Sequence, residues 1–145
     1  MRSDLAIKRL VIKRFKSFPA DTIDFSNPTF LVGRNGSGKS NFAKVFDLLS
    51  RAMIKPLHAV FDEDGGISSI RNKTSSRSYP PNLGLRLDFG NINGEIENAI
   101  FAFEIKAIPD YGFEVVREQC EVKFKAGKRF WFDRTDRFLT NAEGI

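Results

Sequence analysis

Apolar and polar residues alternate along most of this chain, and this spacing predicts β-strands. Before residue 33 the pattern indicates strands at residues 5–15 and 22–25 and a short buried strand at residues 29–32. Pro19, in the turn after the first strand, is expected not to continue a sheet ladder. The alternation returns at residues 83–89, 99–105, 113–124 and 130–132. Short turns separate these later strands, so we predict an antiparallel meander.

Residues 39–54 have a helical pattern instead. Apolar side chains at positions i, i+3, i+4, i+7 and i+11 form one stripe, which consists of Phe42, Val45, Phe46, Leu49 and Met53. Pro56 is expected to end this helix. Residues 57–81 show no regular pattern, so we predict a long loop with little regular structure. The predicted fold class is α/β with an α+β character, in which a strand, a loop and a helix pack on a largely antiparallel sheet.

Composition and charge narrow the range of functions. A chain of 145 residues suits a single domain with its own core. Its net charge of +5 is compatible with a polyanionic ligand, although the basic residues are spread along the chain. The single cysteine, Cys120, excludes an intrachain disulfide and a cysteine-based metal site. The chain has no apolar run of membrane-helix length and no signal-peptide core, so we expect a cytoplasmic protein without a membrane partner.

The clearest candidate site is a segment that matches the phosphate-loop pattern G-x-x-x-x-G-K-[ST] in full. Its residues are Gly33, Arg34, Asn35, Gly36, Ser37, Gly38, Lys39 and Ser40. All three glycines are expected to adopt torsions that other residues avoid, so that backbone N–H groups face an anion at the start of the helix. Lys39 would reach the β- and γ-phosphates, and the Ser40 hydroxyl would bind Mg²⁺. We therefore predict ATP binding with Mg²⁺; the alternative is a glycine-rich turn without a ligand.

The residues around this loop also resemble a known family. Residues 35–41, which end in Asn41, resemble the Walker A motif of SMC, RecF and related ABC-type ATPase heads, including predicted bacterial ATPases of the AAA family. Upstream, residues 10–18, 23–25 and 29–33 are similar to the opening of such heads: strand, turn, strand and loop. The resemblance is specific over residues 7–49. Arg34 stands where many relatives have proline, and a weaker similarity covers residues 65–71.

The resemblance implies roles for residues outside the loop pattern. Lys16 and Ser17 become candidate contacts to the base, ribose or phosphates, and Asn41 joins the nucleotide-binding set. Asn35 would lie beside the γ-phosphate and face a partner head. A solvated turn lysine remains the alternative for Lys16, and a turn residue that tolerates the left-handed conformation remains the alternative for Asn35.

A complete head of this family needs motifs that this sequence does not display. Residues 100–104 and 130–133 are apolar and end in an acid, but they lack the Asp-Glu pair of a Walker B strand and fit alternating strands better. Gln119 is the only glutamine and is favoured as a sheet residue rather than a Q-loop residue. In family heads, the Walker B and signature motifs lie in a C-terminal lobe. The resemblance thus implies that residues 1–145 form a single domain, the N-terminal lobe, with the C-terminal lobe absent from this chain.

Two functional hypotheses remain. In the first, the chain is the ATP-binding lobe of an SMC/RecF-like ATPase, which by itself hydrolyses ATP poorly. ATP would drive association into a homodimer or with a second head, with DNA or a DNA-processing subunit as partner, in DNA repair, chromosome maintenance or anti-phage defence. In the second, the chain is a binding or regulatory module that senses nucleotide without turnover. A P-loop kinase or GTPase is disfavoured, because strands rather than βα units follow the helix.

Other residues have a functional and a structural interpretation, and the structural one is favoured for each. His58 is expected to be structural, and the acids at residues 62–64 are expected to form a solvated loop rather than a metal site. Trp131 could stack on a base, but core packing is favoured. Three basic residues could contact phosphate or DNA, although a solvated loop is preferred; they are Arg71, Lys73 and Arg77.

Overall fold

The alternating segments form one sheet in the computed structural model, which describes residues 4–26, 28–71, 82–108, 112–135 and 139–141. The strands assigned there are β1 (Asp4–Phe15), β2 (Phe18–Asp24), β3 (Leu83–Asn93), β4 (Ile96–Ile108), β5 (Gly112–Phe124), β6 (Arg129–Thr135) and β7 (Leu139–Asn141). The helices are α1 (Lys39–Ala52), α2 (Leu57–Glu63) and α3 (Ile67–Ile70), and all three lie between β2 and β3 in the chain.

The strands follow the order β2-β1-β3-β4-β5-β6-β7, and every neighbouring pair is antiparallel. From β3 onward each strand pairs with the next one in sequence, which confirms the predicted meander. The helical segment separates β2 from β3, and β3 returns to pair with β1. The chain therefore has the predicted mixed α/β fold with an antiparallel sheet.

The core lies between one face of the sheet and the helices. Because strand side chains alternate between faces, β1 directs Leu10 and Ile12 to this side, and β3 and β4 contribute their own alternate apolar residues. The helices supply Val45, Leu48, Leu49, Val60, Phe61 and Ile70, each 0% exposed. Leu48 belongs to this core although it was not in the predicted stripe, whereas Met53 was in that stripe and is 45% exposed.

The opposite face of the sheet is polar, and the charges of its central row are paired. Lys13, Glu104 and Arg117 lie in one row across the sheet, with Gly84 of β3 between Lys13 and Glu104. Burial raises the pKa of the Glu104 carboxyl, but hydrogen bonds from Asn82 and Lys13, at 2.8 and 3.0 Å, outweigh it and hold that pKa below its ordinary value. Arg117 donates to Asp133 and lowers the pKa of that carboxyl. This face therefore carries mutually compensated charges.

The predicted buried strand at residues 29–32 does not form. These residues belong to no strand, and Phe30 is 82%, Leu31 53% and Val32 90% exposed. The apolar pattern was real, but a strand also needs a neighbour for its backbone groups. No described strand of the chain pairs with this segment.

The predicted loop at residues 57–81 is also wrong where the structure describes it. Residues 57–63 form α2 and residues 67–70 form α3, while residues 72–81 lie outside the described part. The first helix ends at Ala52, and Pro56 is the N-cap of α2 rather than the end of α1. Pro56 has φ −57° and ψ 140°, which is compatible with the start of a helix. The apolar face of α2 is short: only Leu57, Val60 and Phe61 are buried.

The prediction that Pro19 would not continue a sheet ladder was also wrong. Pro19 lies inside β2, where it was expected to interrupt the ladder. β2 is an edge strand, and in the pairing of β1 with β2 the register skips from Ala20 to Phe18. An edge strand tolerates proline, because one side of its backbone needs no partner. Of the turn predicted at residues 109–112, Gly112 is the first residue of β5, and the other three lie outside the described residues.

Candidate nucleotide-binding site

The glycine-rich loop connects the exposed segment at residues 29–32 to α1. Gly36 and Gly38 have φ of 80° and 95°, and Gly38 is the N-cap of α1. Both glycines are therefore required by backbone conformation. Gly33 was also expected to adopt a torsion that other residues avoid, but its φ does not lie in the left-handed region. A Cβ there would lie 2.6 Å from the Ser37 hydroxyl, so a larger residue at position 33 would force that side chain to shift.

The loop encloses an open surface cavity of about 500 Å³. The residues that line it are Ser17, Asn35, Gly36, Ser37, Gly38, Lys39, Ser40 and Asn41. Two chain segments thus meet here: the loop with the first turn of α1, and the turn between β1 and β2. Gly33 and Arg34 form the base of the loop, where the Arg34 carbonyl accepts a hydrogen bond from Ser37 N at 3.1 Å.

The start of α1 has the features of an anion site. The first backbone N–H groups of a helix have no partner within the helix, and here no side chain caps them. The first turn contains no acidic residue, so nothing on the helix competes with an incoming anion for its positive end. The cavity lies directly at this end.

Lys39 places its positive charge on the loop itself. Its Nζ donates to the carbonyl of Arg34 at 2.7 Å and to the carbonyl of Gly33. Both acceptors are neutral, and a phosphate oxygen would be a stronger partner because it is charged. The arrangement therefore fits a lysine that exchanges loop carbonyls for phosphate when an anion enters the cavity.

Ser17 and Lys16, which adjoin in sequence, have different surroundings. Ser17 lines the cavity and accepts a hydrogen bond from Asn41 Nδ2 at 3.1 Å. Lys16 Nζ instead donates to the carbonyl of Ser69 at 2.9 Å, at the end of α3. The structure thus brings Ser17 to the predicted loop, whereas Lys16 contacts α3. Their predicted roles as nucleotide contacts stay predictions.

Aromatic packing explains why Ser17 and Asn41 meet. Phe18 follows Ser17 and Phe42 follows Asn41, and these two rings pack edge to face with centroids 6.4 Å apart. Phe25 and Phe46 extend the cluster, with centroids 5.9 Å apart. The β1–β2 hairpin is thereby packed on the first turns of α1.

The described residues that line the cavity include few side chains that could bind a metal ion. Ser40 lines the cavity and is exposed. No group of three or more His, Cys, Asp or Glu that could hold a metal ion occurs among the described residues. The predicted role of Ser40 as a Mg²⁺ ligand stays a prediction.

Of the acids at residues 62–64, Glu63 and Asp64 form ion pairs. Arg51 donates to Asp64 at 2.8 Å and to Glu63 at 3.1 Å, which connects α2 to α1. Hydrogen bonds from Lys55 and then Arg51 lower the pKa of the Glu63 carboxyl. Asp62 and Glu63 are the only Asp-Glu pair in the sequence, but they lie on a helix and not at the end of a strand.

The remaining candidates that the structure describes do not line the cavity. His58 is exposed on α2, and Gln119 lies in β5. Residues 100–104 lie within β4, as the alternating pattern indicated. Trp131 is partly buried in β6, and the Arg129 guanidinium lies 5.4 Å from its ring centroid. Arg71 pairs through its backbone with Phe15, and both Lys73 and Arg77 lie outside the described residues.

Comparison with known proteins identifies the family. A family model described as "AAA domain, putative AbiEii toxin, Type IV TA system" matches residues 29–144. The chain belongs to this AAA family. The AAA-family resemblance inferred from residues 7–49 is thereby confirmed, and the matched range of the AAA domain includes the whole glycine-rich loop.

No curated protein matches this AAA domain. A solved structure described as "Structural biochemistry of ATP-driven dimerization and DNA stimulated activation of SMC ATPases" is similar over 89% of this chain and 69% of its own, with 22% sequence identity and a TM-score of 0.46.

Within the described residues of the AAA domain, no helix is long and apolar enough to span a membrane.

Proposed function

We propose that this AAA domain binds ATP with Mg²⁺ at the glycine-rich loop and is the nucleotide-binding lobe of an SMC/RecF-like ATPase head. The observation that carries the proposal is the cavity of about 500 Å³ at the uncapped start of α1, lined by the loop and by Ser17. A triphosphate is the ligand class that uses all of these features: backbone N–H groups, a helix N-terminus, an adjacent lysine and a hydroxyl for the metal.

The phosphate chain would occupy the cavity with Lys39 as its main charged partner. Lys39 Nζ is now held by the carbonyls of Arg34 and Gly33, within the same loop. The β- and γ-phosphates would replace these acceptors, and the catalytic contribution of Lys39 would be to stabilise the charge on them. When bound, Mg²⁺ would supply further neutralisation of the phosphates, with Ser40 as its protein ligand.

A second lobe is proposed to complete the head. Phe30, Leu31 and Val32 are consecutive apolar residues, and all three are exposed. A continuous apolar run is typical of a strand that is buried on both faces of a sheet, and exposed apolar groups mark surfaces that a partner covers. A lobe that pairs with this segment would cover them and could bring acidic residues to the loop. We propose that ATP then promotes association with a second head, as a homodimer or with another ATPase.

DNA or a DNA-processing subunit is the proposed partner of the assembled head. The net charge of +5 supports a polyanionic partner. The proposed settings are DNA repair, chromosome maintenance and anti-phage defence. DNA affinity should fall steeply as the salt concentration rises, and affinity that is independent of salt would contradict this part of the proposal.

ATP binding is tested by calorimetry on the wild type and on Lys39→Ala. The variant should bind ATP at least about tenfold more weakly, because a charge-assisted contact to phosphate is lost. Lys44→Ala is the matched control, since Lys44 is an exposed lysine on the same helix that does not line the cavity. Equal ATP affinity for the wild type and Lys39→Ala would refute the phosphate-loop assignment.

The metal role of Ser40 is tested in the same assay with and without Mg²⁺. Wild-type affinity for ATP should increase with Mg²⁺, whereas Ser40→Ala should lose most of that increase and keep its Mg²⁺-free affinity. A full Mg²⁺ effect in Ser40→Ala would show that the hydroxyl is not a metal ligand.

A nucleotide sensor without turnover is the second candidate function. It is favoured by one observation: no carboxylate is among the described residues that line the cavity. Because the lobe by itself is expected to hydrolyse ATP poorly under either hypothesis, single-turnover experiments distinguish the two candidates when they are run on the lobe assembled with its proposed second lobe. Hydrolysis above the rate in buffer, lost in Lys39→Ala, would favour an ATPase; tight binding with unchanged ATP would favour the sensor.

A further inference from the structure

We propose that Asn41 is a positioning residue: it orients the Ser17 hydroxyl so that Ser17 donates a hydrogen bond to the phosphate chain of the nucleotide. The inference rests on the proposed function and deepens it, because it assigns how the β1–β2 turn takes part in the same site. Asn41 itself would touch Ser17 and not the nucleotide.

The contact between the two side chains sets the direction of the hydroxyl. Asn41 Nδ2 donates to Ser17 Oγ at 3.1 Å. A serine hydroxyl has one proton to donate and two lone pairs to accept with. Since the amide uses a lone pair, the proton of Ser17 is available for an acceptor elsewhere.

The position of Ser17 makes a phosphate oxygen the suitable acceptor. Its Oγ lies 3.6 Å from the point where a Cβ on Gly38 would be, and Gly38 is the N-cap of α1. The hydroxyl therefore faces the cavity beside the positive end of the helix, where an anion is favoured. It adds one side-chain donor to the backbone donors of the loop.

The turn that carries Ser17 is fixed from the side remote from the loop. Lys16 N donates to the carbonyl of Ile70 at 2.7 Å, and Lys16 Nζ donates to the carbonyl of Ser69 at 2.9 Å. The neighbouring Phe15 forms a backbone bridge with Arg71. The end of α3 thus supports the turn, while Asn41 contacts it from the loop side.

The backbone of the turn is consistent with a held conformation. Arg14 and Lys16 have φ of 58° and 48°, a region that non-glycine residues rarely adopt. Such torsions persist when surrounding contacts impose them, and they occur often at ligand sites. A turn held in this way can present Ser17 without further ordering when the nucleotide binds.

A double-mutant cycle on ATP affinity tests the positioning role. Ser17→Ala should weaken ATP binding about tenfold, at the low end for a hydrogen bond to a charged group. Asn41→Ala should weaken it about threefold, and the double variant should bind like Ser17→Ala alone, because Asn41 acts through Ser17. If the effect of Asn41→Ala persists undiminished in the Ser17→Ala background, Asn41 contacts the nucleotide directly and the proposal is overturned.

Asn41→Asp separates positioning from a structural role. The carboxylate would accept the Ser17 proton instead of donating to Oγ, so ATP affinity should fall below that of Asn41→Ala. A negative charge in the first turn of α1 should at the same time raise the melting temperature. The repulsion added by the new charge is measured from the same substitution in the Ser17→Ala background. A merely structural Asn41 would lower affinity and melting temperature together, which would refute the proposal.

Failure of this proposal is distinguishable from failure of the proposed function. If Lys39→Ala binds ATP as the wild type does, the phosphate-loop assignment itself fails. If Lys39→Ala binds weakly and the two single variants at Ser17 and Asn41 are additive, ATP binding stands and only the positioning role of Asn41 falls.

Discussion

Phe61→Ala should be among the most destabilising single substitutions in the helical layer. The side chain is 0% exposed and lies on α2, the helix that the sequence pattern did not predict. Its ring packs edge to face with Phe113 at 4.7 Å and with Phe103 at 6.3 Å between centroids. The substitution therefore removes one buried ring and two aromatic contacts between α2 and the sheet.

The magnitude follows from these contacts. Truncation of a buried phenylalanine costs roughly 3–5 kcal/mol of unfolding free energy, which includes the cavity left behind. The complete free energy of unfolding of a domain is only about 5–15 kcal/mol, so the variant loses a large fraction of it. With an m-value of about 2 kcal/mol per molar urea, the midpoint should fall by roughly 2 M.

Urea unfolding followed by circular dichroism measures this shift. Phe130→Ala is the matched control, because Phe130 is 42% exposed and packs on Phe124 outside the helical layer. The control should lose only about 1 kcal/mol. Equal, small losses in both variants would mean that α2 does not pack on the sheet and that residues 57–63 behave as the loop first predicted.

Two further predictions concern the loop and the acid sensitivity of the fold. Gly33→Ala should weaken ATP binding, and Ser37→Ala in addition should restore part of it, because the new Cβ would lie 2.6 Å from the Ser37 hydroxyl. Ser37→Ala should not rescue Gly36→Ala, since φ of 80° strains any side chain at position 36 and no atom lies within 4 Å of a Cβ added there. Rescue of both variants in calorimetry would contradict the explanation that Gly33 is restricted by the Ser37 side chain and Gly36 by its backbone. The pKa of Glu104 is lowered in the folded state, so its contribution to stability is present above the ordinary carboxyl pKa of about 4.3 and is lost as the pH falls through the folded value. The urea midpoints of wild type and Glu104→Gln should therefore converge between pH 7 and pH 3, and a constant difference would show that the carboxylate charge does not matter.

The sheet was predictable because its signal is local. Leu83, Leu85 and Leu87 alternate with Gly84 and Arg86, and this period of two already separates the buried face from the other. Short turns then leave an antiparallel neighbour as the simplest arrangement for each following strand. The α1 helix was predictable for the same reason, since its stripe repeats over several turns.

The helices after α1 were not predictable from pattern alone. α2 has seven residues, and the acids at its end resemble a loop when the sequence is considered without partners. In the structure, Arg51 of α1 pairs with Glu63 and Asp64, and Phe61 packs on the sheet. These contacts join residues that are 12 to 42 positions apart or that lie on different elements, so no local pattern contains them.

Residues 29–32 show the reverse error. Their apolar pattern is typical of a buried strand, yet Phe30 and Val32 are almost fully exposed. Periodicity describes which residues suit a strand, but it does not supply the neighbouring strand. The backbone pairing that would bury this segment depends on a partner surface, and none of the described strands provides it.

By itself, the sequence determined which residues the loop places side by side. The glycine spacing, Lys39 and Ser40 predict a phosphate-binding element, because the torsions and donors it needs are properties of consecutive residues. Only the tertiary structure decided what stands opposite the loop. It placed Ser17 against Asn41 and Lys16 against the end of α3, although the resemblance had implied a nucleotide contact for both residues. That choice depends on how the β1–β2 hairpin packs on two separate helices, and packing between distant segments is set by their three-dimensional fit rather than by any local spacing.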